Sequence, residues 1–272
     1  MSTLILILGA GDLASGVALR LHRAGLKVVM TELPQPLAVR RLVCFSEAVY
    51  TGEATVEGVA AKRVKDPTDN LRVLMVLSKG SIPLLVDPQA ESVKAIHPTV
   101  VVDARMTKKR AELISTPIQL IIGLGPGFIP GENCHAAIET MRGHMLGRVY
   151  WQGAPQEDTG VPDEISQHRT ERVLRAPAAG VLQTHAEICD HLEEGQFVAE
   201  VAGQQVRAPF AGTLRGLLRP GVEVQPGLKI GDVDPRDDPL YCTLVSDKSL
   251  AVGGGVLEAI LSRAELRPHL WK

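Results

Sequence analysis

The feature that most constrains the fold is an apolar strand that leads directly into a glycine turn near the N-terminus. Leu4 to Leu8 is an unbroken apolar run, as expected for a parallel strand covered on both faces. The next residues, Gly9-Ala10-Gly11-Asp12-Leu13-Ala14, match the pattern G-x-G-x-x-A. In this pattern Gly9 permits a tight turn, and Gly11 lets backbone approach a pyrophosphate. The sequence therefore predicts a doubly wound α/β unit.

A helix and a second strand follow in the expected order. The helix is predicted to stop at Gly25, and the strand from Leu26 to Thr31 ends at Glu32. An acidic residue at this position can accept hydrogen bonds from a ribose diol. The alternatives are that the glycine turn serves packing alone and that Glu32 is a solvated strand end. Asp12, inside the turn, would repel a pyrophosphate unless it caps the helix.

Two later strands also end in polar residues. Ile82 to Val86 is closed by Asp87, and Thr99 to Asp103 is followed by Arg105. Ligands of open α/β sheets gather at the carboxyl ends of the strands, so these side chains are candidates for a site. Helix capping is the better interpretation for Asp87. Asp103 and Arg105 form a pair able to orient a small anionic ligand.

The stretch from 121 to 149 concentrates glycines and reactive side chains, and three interpretations stay open. In a phosphate or pterin cradle, backbone N–H groups bind the anion and Arg142 or Arg148 pairs with it; the glycines concerned are Gly123, Gly125 and Gly127. In a sulfur or selenium site, Cys134 reacts as a thiolate favoured by His135. A metal site would use Cys134, His135, Glu139 and His144, but their spacing matches no known motif.

The local structure decides which of these side chains share a face. If Asn133 caps a helix, His135, Glu139 and Arg142 lie together. If the chain turns near Gly143, strands over 136–141 and 146–151 separate Glu139 from Arg142. We favour the hairpin.

The second half contains an internal repeat. Arg175 to Leu182 (RAPAAGVL) returns as Arg207 to Leu214 (RAPFAGTL), and short strands separated by glycine turns follow each copy. Over about 172 to 235 the pattern resembles the barrel-sandwich fold of biotinyl and lipoyl carrier domains. The hairpin between the halves, Ala202 to Gln205, has no carrier lysine, so a covalent swinging arm is not expected.

The C-terminal part is predicted to form a strand and a helix. The strand covers Tyr241 to Ser246, and the helix covers Val256 to Ala264. Gly253 and Gly254 precede the helix, where free N–H groups and the positive helix end would form a second anion site. The predicted fold class is an α/β Rossmann-like parallel sheet domain, then an all-β barrel-sandwich hybrid, then a C-terminal helix. The corresponding ranges are 1–150, 170–235 and 240–272, with the last expected to pack back on the first.

Composition excludes several classes of partner. A chain of 272 residues that is 45% hydrophobic is long enough for two compact units. A net charge of -2 without a basic stripe argues against nucleic acid. The apolar run at the N-terminus is far shorter than the roughly 20 residues that span a bilayer. The four cysteines form no Cys-x-x-Cys pair, which indicates a reducing cytoplasm and no zinc ribbon.

A second group of metal-ligating residue types, in the first repeat, is not expected to bind a metal. Its residues are His185, Cys189, Asp190 and His191. One element would have to supply nearly all of the ligands, and the polar positions fall on a solvated turn. No metal site is predicted.

Several motifs together resemble a known family. They are Gly-Ala-Gly-Asp-Leu-Ala-Ser-Gly, Asp103-Ala104-Arg105-Met106, Gly-Leu-Gly-Pro-Gly-Phe through Cys134-His135, Glu139-Thr140-Met141-Arg142-Gly143-His144 and Gly-Gly-Gly-Val-Leu-Glu-Ala-Ile. Across nearly its whole length the chain resembles the accessory proteins of the selenium-dependent molybdenum hydroxylase system. The resemblance implies a maturation or cofactor-loading role and a Rossmann-like N-terminal unit, but it transfers no established catalytic residue.

The resulting hypothesis is an accessory protein that installs or modifies a hydroxylase cofactor. The ligand would be a dinucleotide of the NAD type or a molybdenum-pterin cofactor, and the partners would be a molybdenum hydroxylase or other maturation proteins. Cys134 and His135 would carry sulfur or selenium transfer. An NAD(P)-dependent oxidoreductase and a non-catalytic docking scaffold are the alternatives. Whether the chain is an enzyme stays open, as does its oligomeric state, a homo-oligomer included.

Overall fold

The chain folds into two compact units, each built from segments that are distant in the sequence. The computed structural model describes residues 3–107, 114, 116–157 and 171–271. The first unit comprises Met1–Pro36, Cys44–Thr159 and Val245–Lys272, and the second comprises Leu37–Val43 and Gly160–Leu244. Residue 170, where the predicted sandwich range begins, lies outside the described residues.

Short strands outnumber helices in the described residues. In chain order the strands are β1 (Leu4–Leu8), β2 (Lys27–Glu32), β3 (Glu53–Val56), β4 (Val59–Val64), β5 (Ile82–Val86), β6 (Val100–Asp103), β7 (Leu120–Leu124), β8 (Ala136–Ile138), β9 (Val149–Tyr150), β10 (Val173–Arg175), β11 (Gly180–Thr184), β12 (His191–Leu192), β13 (Phe197–Val201), β14 (Gln204–Arg207), β15 (Gly212–Leu217), β16 (Glu223–Val224) and β17 (Lys229–Asp234). The helices are α1 (Asp12–Arg23), α2 (Ala48–Thr51), α3 (Asn70–Ser78), α4 (Ser92–Ile96), α5 (Leu240–Thr243) and α6 (Asp247–Ser262), with 3-10 turns at Arg41–Val43, Phe45–Glu47 and Arg267–His269. Within the described ranges no helix combines the length and the apolar character needed to cross a bilayer.

Strands β1 to β9 form one sheet in the first unit, in the order β3-β4-β5-β2-β1-β6-β7-β8-β9. The predicted Rossmann-like parallel sheet is wrong, because this sheet is mixed: β3 pairs antiparallel with β4 at one edge and β9 pairs antiparallel with β8 at the other. Glu57 and Gly58, both with positive φ, form the turn that reverses the chain between β3 and β4. The inner strands are parallel.

Strand β1 lies near the middle of this sheet. Its apolar run predicted a strand covered on both faces, and residues 5 to 8 are at most 1% exposed. From β1 the chain runs through α1 to β2 on one side, whereas β6 lies on the other side of β1. The order of connection therefore reverses between β1 and β6, which makes the carboxyl ends of these two strands a topological switch point.

The central hairpin is confirmed, but its strands are shorter than predicted. Strand β8 pairs antiparallel with β9, and Ala137 lies opposite Tyr150. Glu139 ends β8 early because its Oε1 accepts hydrogen bonds from the N–H groups of Thr140 at 2.8 Å and Met141 at 2.7 Å. A side chain that bonds to its own next residues turns the backbone away from the strand pairing.

The C-terminal helix begins nine residues before the predicted start, at Asp247 rather than Val256. Ser246 caps it by accepting the N–H of Ser249 at 3.1 Å. The glycines thus lie inside α6 and serve close packing against α1: a Cβ on Gly253 would lie 3.0 Å from the carbonyl oxygen of Gly16. The predicted anion site at Gly253 and Gly254 is therefore wrong, because α6 does not begin there.

The strand predicted at Tyr241 to Ser246 is also wrong. Residues Leu240–Thr243 form the helical turn α5. Asp238 starts this turn by accepting the N–H of Leu240 at 2.9 Å, and Arg40 donates to the carbonyl oxygens of Tyr241 and Leu244. These bonds satisfy backbone groups that a strand would have paired with a neighbouring strand.

The second unit is a β-sandwich of two four-stranded sheets within the described residues, in the orders β10-β17-β15-β12 and β14-β13-β11-β16. The predicted biotinyl- and lipoyl-type barrel-sandwich hybrid is wrong, because the repeated strands divide between two antiparallel sheets that share one apolar core. Leu182, Val198 and Val201 contribute to the core from one sheet, and Leu214 and Val233 from the other. The repeat correctly indicates the short strands and turns, but not this arrangement.

A buried ion network lies in the second unit. The Asp232 carboxylate accepts hydrogen bonds from Arg172 at 2.7 Å and from Arg215 at 2.6 Å, and it is 1% exposed. Arg215 also pairs with Asp234 Oδ2 at 3.2 Å, and Arg236 pairs with the same oxygen at 2.6 Å. Opposite charges therefore satisfy one another where water is excluded.

An exposed pair of a histidine and an aspartate in the second unit predicts a stability that depends on pH. His191 Nδ1 lies 2.8 Å from Asp237 Oδ1, and this hydrogen bond raises the pKa of His191 above 6.5 and lowers the pKa of Asp237 below 3.8. The stability contributed by protonated His191 is lost as pH rises through its raised pKa. The stability contributed by ionised Asp237 is lost as pH falls through its lowered pKa. Urea unfolding should therefore show the largest coupling between the two side chains at pH between 3.8 and 6.5.

A double-mutant cycle of His191→Gln and Asp237→Asn measures this coupling at each pH. We expect it to decrease above pH 7 as the imidazole loses its proton. A coupling that stays constant from pH 5 to pH 9 would contradict the assignment.

Candidate ligand site at the sheet switch point

A small cleft of about 40 Å³ opens at the carboxyl ends of the central parallel strands. Its walls come from the ends of β1, β2 and β5 and from the segments after β5 and β6; the lining residues are Leu8, Gly9, Thr31, Glu32, Leu33, Asp87, Pro88, Ala90 and Arg105. Open α/β sheets bind ligands at such a place. The enclosed part has room for a few atoms, so a larger ligand would leave most of its surface at the open side.

Glu32 is held at this cleft by two backbone hydrogen bonds. Its Oε2 accepts the N–H of Ala10 at 2.9 Å, and its Oε1 accepts the N–H of Leu33 at 2.7 Å. Burial raises the pKa of Glu32, while the two backbone hydrogen bonds act in the opposite direction. Each carboxylate oxygen keeps a lone pair, so the group can accept two more donors.

The glycine turn has the shape that the motif predicts. Gly9 has a φ of 100°, and a Cβ there would lie 3.3 Å from the carbonyl oxygen of Ala104, so the turn passes close to the end of β6. Gly11 is the N-cap of α1, where no side chain caps the helix, and a Cβ there would meet nothing within 4 Å. Backbone at the positive end of α1 is therefore open to a ligand.

Asp12 does not point into the glycine turn. Its Oδ1 accepts a hydrogen bond from the Ser249 hydroxyl at 2.7 Å, which ties the first turn of α1 to α6. A carboxylate in the first turn of a helix is favoured by the helix dipole. The acidic residue inside the glycine turn is thus explained by the contact between α1 and α6.

The other acidic residues at the strand ends are already engaged. Asp87 caps α4, as predicted, by accepting the N–H groups of Glu91 and Ser92, both at 2.9 Å. Asp103, which is 2% exposed, holds the Arg105 guanidinium with hydrogen bonds of 3.0 and 2.6 Å. The pair places a cationic group at the wall of the cleft.

The glycines from 123 to 127 have packing reasons. A Cβ on Gly123 would lie 2.0 Å from the Phe128 ring, and one on Gly125 would lie 2.6 Å from the Thr140 hydroxyl. The N–H of Gly125 donates to the carbonyl oxygen of Ile138 at 2.9 Å, and the carbonyl oxygen of Gly127 accepts from Asn133 at 2.8 Å. The predicted phosphate cradle therefore lacks the Gly125 donor.

Cys134 and His135 are adjacent in sequence but do not activate each other. Burial raises the pKa of Cys134 to about 12, although a hydrogen bond from the backbone of Gly123 acts in the opposite direction. Burial and the charge of Arg263 lower the pKa of His135, and its Nδ1 accepts the N–H of Ile121 at 2.8 Å. At neutral pH the thiol stays protonated and the imidazole uncharged, so the geometry favours packing over transfer chemistry.

Arg142 lies outside the cleft lining and forms a two-bond pair with Asp247 at 2.6 and 2.9 Å. Gly253 and Gly254 lie within α6. The structure therefore does not bring Arg142, Gly253 or Gly254 to the cleft residues Gly9, Glu32 and Arg105. The described part of the chain contains no group of three metal-ligating side chains.

The sequence interpretation missed several residues of the cleft. Leu33 follows Glu32 directly, and Pro88 and Ala90 lie just after β5. The rule that ligands gather at the carboxyl ends of strands applied to these loops as well, and it could have identified them.

No protein-family model matches the chain. An Escherichia coli (strain K12) protein named Uncharacterized protein YqeB is 46% identical over 258 residues, and the match covers 95% of this chain and 47% of YqeB. The chain thus spans about half of the length of this relative.

Two solved structures are similar at low identity. An aspartoacylase family protein from Mesorhizobium loti is 13% identical with a TM-score of 0.27, covering 86% of this chain and 85% of that chain. A succinylglutamate desuccinylase from Silicibacter sp. TM1040 is 13% identical with a TM-score of 0.25, covering 85% of this chain and 84% of that chain. Similarity at this level does not transfer an activity.

The comparisons do not support the predicted family. No family model matches the chain, and the printed name of the curated relative carries no role in the selenium-dependent molybdenum hydroxylase system. The predicted membership, and with it the predicted function in selenium and molybdenum cofactor maturation, is therefore not retained.

Proposed function

We propose that the chain binds a ribonucleoside-type ligand at the switch-point cleft, with the two ribose hydroxyl groups donating to Glu32. The observation that carries the proposal is the position of the Glu32 carboxylate, which is fixed by one backbone N–H on each oxygen. A carboxylate oriented in this way presents two parallel acceptors. A vicinal diol supplies two O–H donors at matching spacing.

The contact between Glu32 and the glycine turn argues against a merely solvated strand end. The N–H of Ala10 lies between Gly9 and Gly11, so the acidic residue is joined to the turn that would bind the rest of the ligand. Ser15 fixes this turn further, because its hydroxyl donates to the carbonyl oxygen of Ala10 at 3.0 Å. The acceptor and the turn therefore form one rigid arrangement.

The open backbone at Gly11 favours a ligand that also carries an anionic group. No Cβ blocks approach to the N-terminus of α1, which has 12 residues and a partial positive charge. The carboxylate of Asp12 is engaged by Ser249 and does not occupy this space. A nucleoside phosphate matches this combination of an acceptor pair and a positive helix end.

Glu32→Gln is the variant that tests the proposal. The amide has one acceptor oxygen in place of two, so it cannot accept both backbone N–H groups and both ligand hydroxyls. A hydrogen bond to a charged group contributes about 1.5 to 3 kcal/mol, so we expect the affinity to fall by about tenfold or more. Isothermal titration calorimetry with adenosine, ADP and NAD measures this change.

Glu258→Gln is the matched control, because Glu258 is an exposed residue on α6 of the same unit. It should bind as the unaltered chain does. Equal affinity of Glu32→Gln and the unaltered chain for each ligand that binds, or no binding of any of the three ligands, would contradict the proposal.

A further inference from the structure

Two of the four cysteines meet in the second unit, although 53 positions separate them in the sequence. Cys189 lies between β11 and β12, and Cys242 lies in α5. The N–H of Cys189 donates to the carbonyl oxygen of Leu214 at 2.9 Å, and the Cys242 thiol donates to the same oxygen at 3.8 Å. Both thiols are free, and after burial Cys189 is the neighbour that most raises the pKa of Cys242.

The two thiols differ in their access to solvent. Cys189 is half-buried, whereas Cys242 is 1% exposed. Cys189 also has a φ of 85°, a left-handed conformation that is uncommon for a residue with a side chain and that is found at functional sites. Because of this difference in exposure, a dissolved reagent can reach Cys189 more readily than Cys242.

The surroundings of Cys242 act in two directions. Burial raises its pKa to about 12, whereas the charges of Arg40 and Arg215 favour the thiolate. The pair should thus be slow to react at neutral pH and faster at alkaline pH, because the thiolate is the attacking species.

We propose that Cys189 and Cys242 form a redox modification site, which closes to an intramolecular disulfide in the presence of a small disulfide oxidant such as oxidised glutathione. The Cys189 thiolate attacks one sulfur of the oxidant, forms a mixed disulfide and releases one glutathione thiolate. The Cys242 thiolate then attacks the Cys189 sulfur and releases the second. The two protons of the protein thiols end on the two glutathione thiols, so the protein loses two electrons and the oxidant gains them.

The geometry makes the second step short. Because both cysteines bond to the carbonyl oxygen of Leu214, the two residues lie together before the S–S bond of about 2 Å forms. The site lies in the second unit and is independent of the proposed ligand site. Oxidation would link α5 to the segment before β12.

The test uses the full chain, reduced first and then incubated at pH 8 with oxidised glutathione. Intact mass spectrometry should show a loss of about 2 Da without a retained glutathionyl group, as expected when two thiols become one disulfide. Proteolysis at acid pH should then yield one cross-linked peptide pair that contains Cys189 and Cys242. Dithiothreitol should reverse both changes.

Single variants identify the order of the steps. Cys242→Ser should stop at the mixed disulfide and retain one glutathionyl group on Cys189. Cys134→Ser should still form the cross-link, because Cys134 is buried in the first unit. In the unaltered chain, a glutathionyl group that persists on Cys189, a cross-link to another cysteine, or a thiol count that does not change would overturn the proposal.

Discussion

Gly255→Ala should destabilise the first unit by about 1 to 3 kcal/mol, the usual range for overpacking, and we expect the upper end because the contact is with backbone. A Cβ at this position would lie 2.1 Å from the carbonyl oxygen of Gly147 and 3.0 Å from Cγ2 of Ile138. The loop that carries Gly147 cannot easily yield, because its N–H donates to the carbonyl oxygen of Glu139 at 3.0 Å. Urea unfolding followed by circular dichroism measures the change.

Gly254→Ala provides a control on the same helix. A Cβ at Gly254 would meet nothing within 4 Å, so only the helix propensity changes. Alanine is favoured over glycine inside a helix by about 0.8 to 1 kcal/mol, and this variant should be slightly more stable than the unaltered chain. Equal effects of the two substitutions would contradict the close packing of α6.

Asp232→Ala should destabilise the second unit by about 3 to 5 kcal/mol, the usual result of removing one partner from a buried ion pair. The substitution leaves the guanidinium groups of Arg172 and Arg215 in place, with side chains that are 9% and 13% exposed. Because both charges are shielded from water, neither can be rehydrated without opening the sandwich. Thermal unfolding monitored by calorimetry should show a lower transition temperature for this unit.

Glu223→Ala is the matched surface control, since Glu223 is an exposed residue of β16 in the same unit. Surface substitutions of this kind usually change stability by less than about 0.5 kcal/mol. A loss for Asp232→Ala that does not exceed the loss for Glu223→Ala would contradict the role of the ion network.

The local elements of the first unit could be predicted because their causes are local. The run from Leu4 to Leu8 is apolar throughout, so both of its faces are expected to be buried. The turn that follows needs a positive φ, which glycine adopts readily at position 9. Glu32 could be located because the end of β2 follows the glycine turn at a regular spacing. Its hydrogen bond with Ala10 joins residues 22 positions apart and could not be read from either residue alone.

The arrangement of the sheets could not be predicted, because it depends on contacts between distant residues. The antiparallel edge strand β3 depends on the Glu57-Gly58 turn, which is not distinctive in the sequence, whereas the β8–β9 hairpin at the other edge was predicted. In the second unit the repeat indicates strands but not the sheet to which each belongs. The fold class was wrong for this reason.

The errors at the candidate site have a related cause. In the sequence His135 is the visible neighbour of Cys134, whereas burial in an apolar cluster with Ile121, Phe128 and Ala137 raises the pKa of the thiol. In the sequence the glycines before Val256 resemble a helix start, whereas the capping serine, Ser246, lies upstream of them and α6 already begins at Asp247. The same glycines are needed for contact with α1, and that contact exists only in the folded unit.

The most direct test of the central claim compares adenosine with 2′-deoxyadenosine by isothermal titration calorimetry on the full chain. If Glu32 accepts both ribose hydroxyls, removal of one of them should weaken binding by about tenfold or more in the unaltered chain. In Glu32→Gln the two ligands should differ much less. Equal affinities of the two ligands for the unaltered chain would contradict the assignment of the cleft as a ribose site.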